Sequence, residues 1–254
     1  DYQALDTTYL YAKVVQGYKA GGFNMRQAAF DQGFAPETLL SYETGVKSEL
    51  FDRRLRVNVA GFYMDYKDIQ LDIVVPNQPD PTLTRTTNAG KATIMGIEAE
   101  VAVLLTDNLR ASLNYGLNYS DIKKVEGDDA DLYRLPFASK HSLSGGIVWD
   151  VLKTDAGVLN FSTDTTFRTD FVSNARELPD RVIPGYTITD ARLAFEGQDW
   201  IGQGTNFTIA GWVRNVFDKE YAKDSFSSFG GLHANRVTTY GLPRTYGIEF
   251  KVAY

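Results

Sequence analysis

Between residues 109 and 120 the chain alternates without a break. Leu109, Ala111, Leu113, Tyr115, Leu117 and Tyr119 are apolar or aromatic, and Arg110, Ser112, Asn114, Gly116, Asn118 and Ser120 stand between them. A period of two is that of an extended strand with one apolar and one polar face. The same alternation runs through 159–168 and 97–103. By this criterion the sequence predicts ten strands, at about 7–19, 40–51, 54–75, 83–104, 109–125, 139–152, 157–173, 185–197, 205–217 and 241–254. Their connections alternate in kind. The even-numbered strands of this series end in short turns (51–53, 105–108, 153–156, 198–204), and the odd ones are followed by long polar stretches (20–39, 76–82, 126–138, 174–184, 218–240).

Several of these strands exceed the five or six residues usual in soluble sheets, and about 9 to 11 residues cross a bilayer as a tilted strand. Long strands with short turns at one end and long loops at the other describe an all-β, antiparallel, up-and-down transmembrane β-barrel. A soluble barrel or sandwich alternates in the same way with its apolar face turned inward, and periodicity alone does not separate the two. Aromatic placement favours the membrane. Tyr63, Tyr66, Tyr115, Tyr119, Phe167, Phe171, Phe250 and Tyr254 fall toward strand ends, where girdles meet lipid headgroups.

Composition removes several other classes. The 254 residues are 43% hydrophobic and 23% charged, an ordinary balance for a folded chain. The longest apolar run is 101–105, far short of a membrane-spanning helix. There is no cysteine, so thiol chemistry and disulfides are excluded. A net charge of -6 gives no general attraction to nucleic acid. The chain starts at Asp1 without a signal segment, so the sequence reads as processed or truncated.

Candidate chemistry is sparse. The two histidines, His141 and His233, could form a hydrolase pair only with Ser142 or Asp224, and His141 and Ser142 are adjacent on a strand and so point to opposite faces. The acidic run 126–131 lacks the spacing of an EF-hand and reads as a solvated loop, with Ca²⁺ as the alternative. The glycine pairs Gly21–Gly22 and Gly230–Gly231 have no following helix and read as turns of outward loops, with no phosphate cradle. Ten charged residues share the polar faces: Glu98, Glu100, Arg110, Asp164, Arg168, Asp190, Arg192, Arg214, Glu249 and Lys251. Both signs are present in similar number, which suits a hydrated wall that pairs with itself and with a plug, while a strongly basic lumen would suggest an anion pore. The aromatic loop carrying Phe226, Phe229, Leu232 and His233 is the candidate ligand-facing segment, with simple packing among loops as its alternative.

Five segments resemble the C-terminal barrel region of TonB-dependent outer-membrane receptors: YAKVVQGYKAGGFN at 11–24, SYETGVK at 41–47, NAGKATIMGIE at 88–98, NVFDKEYA at 215–222 and PRTYGIEFKVAY at 243–254. They occur in family order over nearly the whole chain. The resemblance implies a 22-stranded barrel around an N-terminal plug, in the outer membrane of a Gram-negative bacterium. Such a barrel imports a scarce nutrient, commonly a ferric siderophore or cobalamin, with energy relayed by TonB and with no cofactor of its own. No plug and no TonB box are visible, so residues 1–254 read as the C-terminal portion of such a barrel, its last ten strands, with both ends on the periplasmic side. The other readings are a self-contained ten-stranded barrel acting as a hydrolase, and a structural or adhesin-like barrel.

Two finer expectations follow. Matching apolar faces across the turn at 105–108 pairs Val103 with Leu109, Val101 with Ala111 and Ala99 with Leu113, which sets Glu100 diagonal to Arg110. In the last strand Ile248, Phe250, Val252 and Tyr254 share one face, and this terminal pattern resembles the signal read by the outer-membrane barrel assembly machinery. An ordinary lipid-facing strand with an interfacial Tyr is the alternative.

Overall fold

The computed structural model describes residues 2–24, 33–74, 84–88, 90–123, 125, 131, 133–175, 182–198, 205–230 and 233–253. Its strands are β1 (Tyr2–Leu5), β2 (Thr8–Lys19), β3 (Gly22–Phe23), β4 (Gly33–Phe34), β5 (Glu37–Leu50), β6 (Leu55–Lys67) and β7 (Gln70–Val74). There follow β8 (Thr84–Asn88), β9 (Lys91–Thr106), β10 (Leu109–Ile122), β11 (His141–Thr154), β12 (Gly157–Arg168), β13 (Phe171–Val172) and β14 (Val182–Ile183). The chain continues through β15 (Tyr186–Gln198), β16 (Asn206–Arg214), β17 (Ala222–Gly230), β18 (His233–Tyr240) and β19 (Thr245–Ala253). Eleven of these make one sheet in the order β1-β2-β5-β6-β9-β10-β11-β12-β15-β16-β19, antiparallel throughout, and the other eight form four two-stranded hairpins in the long connections.

The pairing explains why the alternation is so regular. One cross-strand row runs Leu50, Leu55, Val103, Ala111, Ile147, Thr163, Ala191, Val213, with no charged residue in it. The row beside it runs Glu49, Arg56, Ala102, Ser112, Gly146, Asp164, Asp190. Successive side chains of a strand leave opposite faces, so an unbroken ladder keeps the two rows apart across the whole sheet. The apolar face remains open. Met95, Ile97, Leu193, Ile209 and Ile248 are all exposed on it, and Leu113 is 44% exposed. The polar face lines an open cavity of about 1030 Å³. A soluble barrel would bury the first face and expose the second. Here the apolar face is the outer one and takes lipid as its solvent.

Among the described residues the buried apolar side chains gather mostly at the long-loop end. Ile69, Leu71, Ile122, Val125, Tyr133 and Ala175 pack with Ala92 of β9, and Tyr66 and Leu135 lie against them. Phe171, Val172 and Ile183 of the β13–β14 hairpin are wholly buried. The loops thus form a packed cap with a core of its own.

Several expectations are corrected. The sheet has eleven strands, because β1 pairs with β2 across a turn at Asp6–Thr7. Its four residues are too few to display a period. The even count that set both ends at the short-turn side therefore fails. The segments 54–75 and 83–104 each break in two, where Asp68 (φ 56°) and Gly90 (φ 81°) take left-handed backbone and turn the β7–β8 hairpin out of the wall. The segment 157–173 ends at Arg168, and Phe171 belongs to the cap. Of the expected girdle residues, Tyr66 packs against the loop core and Phe171 is buried, whereas Tyr63, Tyr119, Phe167 and Phe250 are exposed on the apolar face. Tyr254 lies outside the described residues.

The β9–β10 register also differs by two residues. Val103 pairs with Ala111, Val101 with Leu113 and Ala99 with Tyr115, and a bulge at Leu109/Arg110 absorbs the mismatch beside a two-residue turn at Asp107–Asn108. Faces are preserved by a slip of two, but neighbours are not. Glu100 stands opposite Asn114 and accepts from Asn58 Nδ2 at 3.2 Å, away from Arg110.

After β16 the chain is held by one buried amide. Asn215, 3% exposed and at φ 53°, donates through Nδ2 to the Lys219 carbonyl (2.9 Å) and the Leu242 carbonyl (3.2 Å), and its Oδ1 accepts from the Lys219 N–H (2.8 Å). Its own N–H donates to Asp190 Oδ1 at 2.9 Å. Three residues on, the Asp218 carboxylate accepts from the Arg244 N–H at 2.8 Å and fixes the entry to β19.

Two outcomes test this architecture. Leu113→Arg should destabilise the barrel by about 2 to 4 kcal/mol, the cost of a guanidinium near the bilayer midplane, and Asn114→Arg should cost much less; denaturant titration in lipid vesicles measures both. Asn215→Ala should cost about 1 to 3 kcal/mol, because it strands buried polar partners. Asn215→Gly should recover only a part of that loss, since it relieves the backbone and restores none of the bonds.

Candidate functional site

Two regions collect the polar chemistry: the loop cap and the concave face beneath it. The aromatic segment of the cap is a hairpin. Phe226 pairs with Val237 and Phe229 with Ala234, and His233 pairs with Gly230 at the tip. Leu232 lies outside the described residues. The hairpin is anchored by the buried Ser225, whose carbonyl accepts from the Ser173 hydroxyl, while the Ser225 and Thr238 hydroxyls lie 3.5 Å apart across the pair. Packing against the neighbouring loop thus positions this segment. Asp224 caps its own strand by accepting from the Ser225 N–H at 2.7 Å.

Arg168, one of the expected wall charges, serves the same cap. Its guanidinium stacks 3.9 Å above the Phe171 ring and donates from Nε to Ser139 Oγ (2.9 Å) and from Nη2 to the Phe137 carbonyl (2.9 Å). A delocalised fork suits this combination of ring and hydrogen bonds better than an ammonium would. Its role was not readable from alternation, because the Phe171 ring belongs to a different hairpin. Asp190 is likewise engaged, by the Asn215 N–H.

The remaining wall charges lie on the concave face, as their parity requires. The cavity there is lined by six arginines (Arg53, Arg54, Arg56, Arg110, Arg192 and Arg214) and three acids (Asp164, Asp190 and Glu249), with Trp212 among them. The wall as a whole mixes signs, but this cavity is rich in arginine. Arg53, Arg54 and Arg56 escaped the sequence reading because they sit on or beside the turn at 51–54, where no alternation marks a face. Partners neutralise some of them: Arg192 lies 3.4 Å from Glu249, Arg54 2.9 Å from Asp107, and Arg56 3.0 Å from Glu49. Arg214 sits 5.2 Å over the Trp212 ring. Asp164 and Asp190 stand directly opposite each other between β12 and β15, a like-charge pair lining the same cavity as these arginines. Glu98 and Lys251 occupy the same face, opposite Gly116 and Thr208.

His141 and Ser142 do not form a catalytic pair. His141 shares a 2.8 Å hydrogen bond with the Tyr115 hydroxyl, and the two rings stack at 6.1 Å. Ser142 leaves the opposite face, between Gly116 and Arg168. Among the described residues there is no cluster of three or more His, Asp or Glu that could hold a metal. Of the acidic run, residues 126–130 lie outside the described residues. Gly22 opens the β3–β4 hairpin with the Phe34 ring directly over it, a packed position where an open turn was expected. Of the other glycines read as loop turns, Gly230 ends β17 and Gly231 lies outside the described residues.

With this geometry in hand, the comparisons with known proteins are specific. Residues 1–216 match the family described as TonB dependent receptor-like, beta-barrel. The chain is 28% identical to the pesticin receptor of Yersinia pestis, in an alignment covering 100% of this chain and 35% of that one. It is 28% identical to the metal-pseudopaline receptor CntO of Pseudomonas aeruginosa over 89% of this chain and 30% of that one. Among solved structures it resembles the ferric yersiniabactin uptake receptor FyuA from Yersinia pestis, with a TM-score of 0.76 and 23% identity, covering 97% of this chain and 35% of that one. The siderophore receptor PiuA from Acinetobacter baumannii gives a TM-score of 0.71 at 17% identity, covering 98% and 34%. The chain thus spans about a third of the length of the curated relatives it matches. An apolar outer face, a charged inner face, short turns at one end and a packed loop cap at the other are what such a wall requires, and the chain belongs to the TonB-dependent receptor β-barrel family.

Proposed function

We propose that this chain is the C-terminal part of the wall of a 22-stranded outer-membrane receptor that imports a ferric siderophore by TonB-coupled transport. The observation that carries the reading is the match along the whole chain to a receptor named for pesticin and along 89% of it to one named for metal-pseudopaline. The geometry supports it. The concave face offers guanidinia and carboxylates to a plug, whose own polar surface would complete their pairing. The cap holds the β17–β18 hairpin, with Phe226, Phe229 and His233 on its strands, at the end where an external ligand arrives. TonB acts through the plug, on segments other than these residues. The hydrolase reading has no support, since His141 and Ser142 leave opposite faces. Under this reading the chain has no enzymatic role.

The edges of the sheet support the fragment reading. β1 and β19 each have one neighbour in the sheet, and an unpaired ladder edge is costly in lipid. On β19, Ile248 is 71% and Phe250 73% exposed. With Val252 and Tyr254 these residues form the proposed recognition strand for the assembly machinery.

Uptake of radioactive iron from ferric siderophores by iron-starved cells tests the transport reading. Deleting the gene should abolish uptake of one siderophore class, and deleting residues 222–240 should weaken binding of that class while the barrel still inserts. Undiminished uptake of every siderophore in the deletion strain would sink the reading. Deleting Tyr254 should sharply reduce insertion in cells and leave folding into synthetic bilayers nearly unchanged. A small, equal loss of about 1 kcal/mol in both settings would mean a girdle contact only.

A further inference from the structure

Arg168 closes the last rung of β12, opposite Tyr186 of β15, and two contact routes run from it to the β17–β18 hairpin. The first passes through the β13–β14 hairpin. The guanidinium lies 3.9 Å over the ring of the wholly buried Phe171, and two residues on, the Ser173 hydroxyl donates to the carbonyl of the buried Ser225 in β17. The second starts at the partner strand. The same guanidinium stands 6.0 Å from the Tyr186 ring, whose centroid is 4.7 Å from that of Tyr221. Tyr221 immediately precedes β17. Its ring lies over Gly241, just beyond β18, and the Gly241 N–H donates to the Tyr221 carbonyl at 2.8 Å. One route therefore reaches the hairpin within its first strand, and the other clamps its base.

A two-stranded hairpin has little stability of its own, so its direction is set by what it is attached to. A single attachment at the base leaves a pivot, whereas two separated attachments fix an orientation. Both begin at one side chain, and that side chain is itself held. Arg168 Nε donates to Ser139 Oγ at 2.9 Å, Ser139 Oγ donates on to the Thr169 carbonyl at 3.0 Å, and Arg168 Nη2 donates to the Phe137 carbonyl at 2.9 Å. The Phe137 N–H in turn donates to the Val172 carbonyl at 2.8 Å, and its ring lies 6.1 Å from that of Phe171. A planar guanidinium stacks through its face while donating from its edge, and a lysine ammonium cannot do both.

We infer that Arg168 is a positioning residue for ligand recognition: without touching the ligand, it fixes the β17–β18 hairpin in the orientation that receives it. The inference rests on the reading of that hairpin as the ligand-facing segment. Its consequence falls on affinity. Apparent affinity scales with the fraction of receptors in the competent arrangement, so a hairpin that keeps its direction about a tenth of the time without the guanidinium binds about tenfold more weakly. The steps that follow binding are left as they were.

The test uses the full-length receptor in iron-starved cells, and its probe is the radioactive ferric siderophore that the gene-deletion strain fails to take up. KM and maximal rate are read per folded receptor, counted by heat-modifiable migration on gels. Arg168→Gln should raise KM about tenfold and leave the maximal rate unchanged. Arg168→Lys should behave like Arg168→Gln, because charge without the planar fork does not restore the contacts. In the purified Arg168→Gln receptor the amides of 222–240 should exchange with deuterium faster, while those of β10, β11 and β12 keep wild-type protection. In a receptor lacking 222–240, Arg168→Gln should change KM no further, since the two changes act through one element. An unchanged KM in Arg168→Gln overturns the inference, and so does a further rise in the receptor lacking the hairpin, which would mean that Arg168 meets the ligand itself. Faster exchange throughout β10, β11 and β12 with a fallen maximal rate also overturns it, as the sign of a merely structural role. Should Arg168→Gln fail to insert, Ser173→Ala cuts the first route alone and must itself raise KM; no rise overturns the inference. If deleting 222–240 leaves KM unchanged, the ligand-facing reading of the hairpin fails, whereas a deletion that weakens binding beside an Arg168→Gln that does not refutes only the positioning role.

Discussion

Every feature of this chain depends on one constraint: in hydrocarbon there is no water to take a backbone N–H or C=O, so each must be paired within the sheet. A closed antiparallel ladder meets that demand, and it fixes the side chains as a consequence. With each inner strand bonded on both sides, parity along one strand becomes parity across all of them. That is why the apolar row from Leu50 to Val213 and the polar row from Glu49 to Asp190 stay separate through so many strands. The hydrophobic effect, which gives a soluble domain its core, acts here on the outside and leaves the interior to charge.

A wall built in this way has little apolar burial within itself, so tertiary stability must be found elsewhere. It is found at the loop end. The cluster around Ile69, Ile122 and Tyr133 and the buried hairpin at Phe171 and Ile183 form a small conventional core above the membrane. Polar side chains lock that core to the strands. Arg168 reaches from β12 to Ser139 and Phe137, and Asn215 joins the end of β16 to the residues before β19. Arg168, which alternation assigns to the lumen, is thereby used as a latch between wall and cap.

This division explains what the sequence could and could not reveal. The faces were legible at Leu109 to Ser120 because a strand in a ladder has a period that no tertiary contact overrides. Strand ends at Asp68, Gly90 and Arg168 were not, since the hairpins beyond them continue in an extended, partly apolar pattern; at Asp68 and Gly90 only the backbone angles betray the break. β1 was too short to show a period. The site suffered most. Phe226 and Phe229 lie on one strand of a hairpin, and the anchor of that hairpin depends on Ser173 and Ser225, which lie far apart in the chain.

The two-residue slip between β9 and β10 shows why faces are easier to infer than sites. Moving a strand by two leaves every side chain on its original face, so binary pattern is blind to it. Yet it changes every cross-strand neighbour, and sites on a sheet are made of such neighbours. Under the expected register Lys123 would have stood beside Ala89, and Glu100 beside Ser112. Under the observed one Lys123 joins Lys67 and Lys91 in a single row, and Glu100 meets Asn114 and Asn58. The bulge at Leu109/Arg110 sets that register, one extra residue in a turn far from either row. A two-residue change of register set at the short-turn end would therefore rearrange the charges at the loop end while leaving the apolar face untouched, and that coupling follows from the rigidity of the ladder alone.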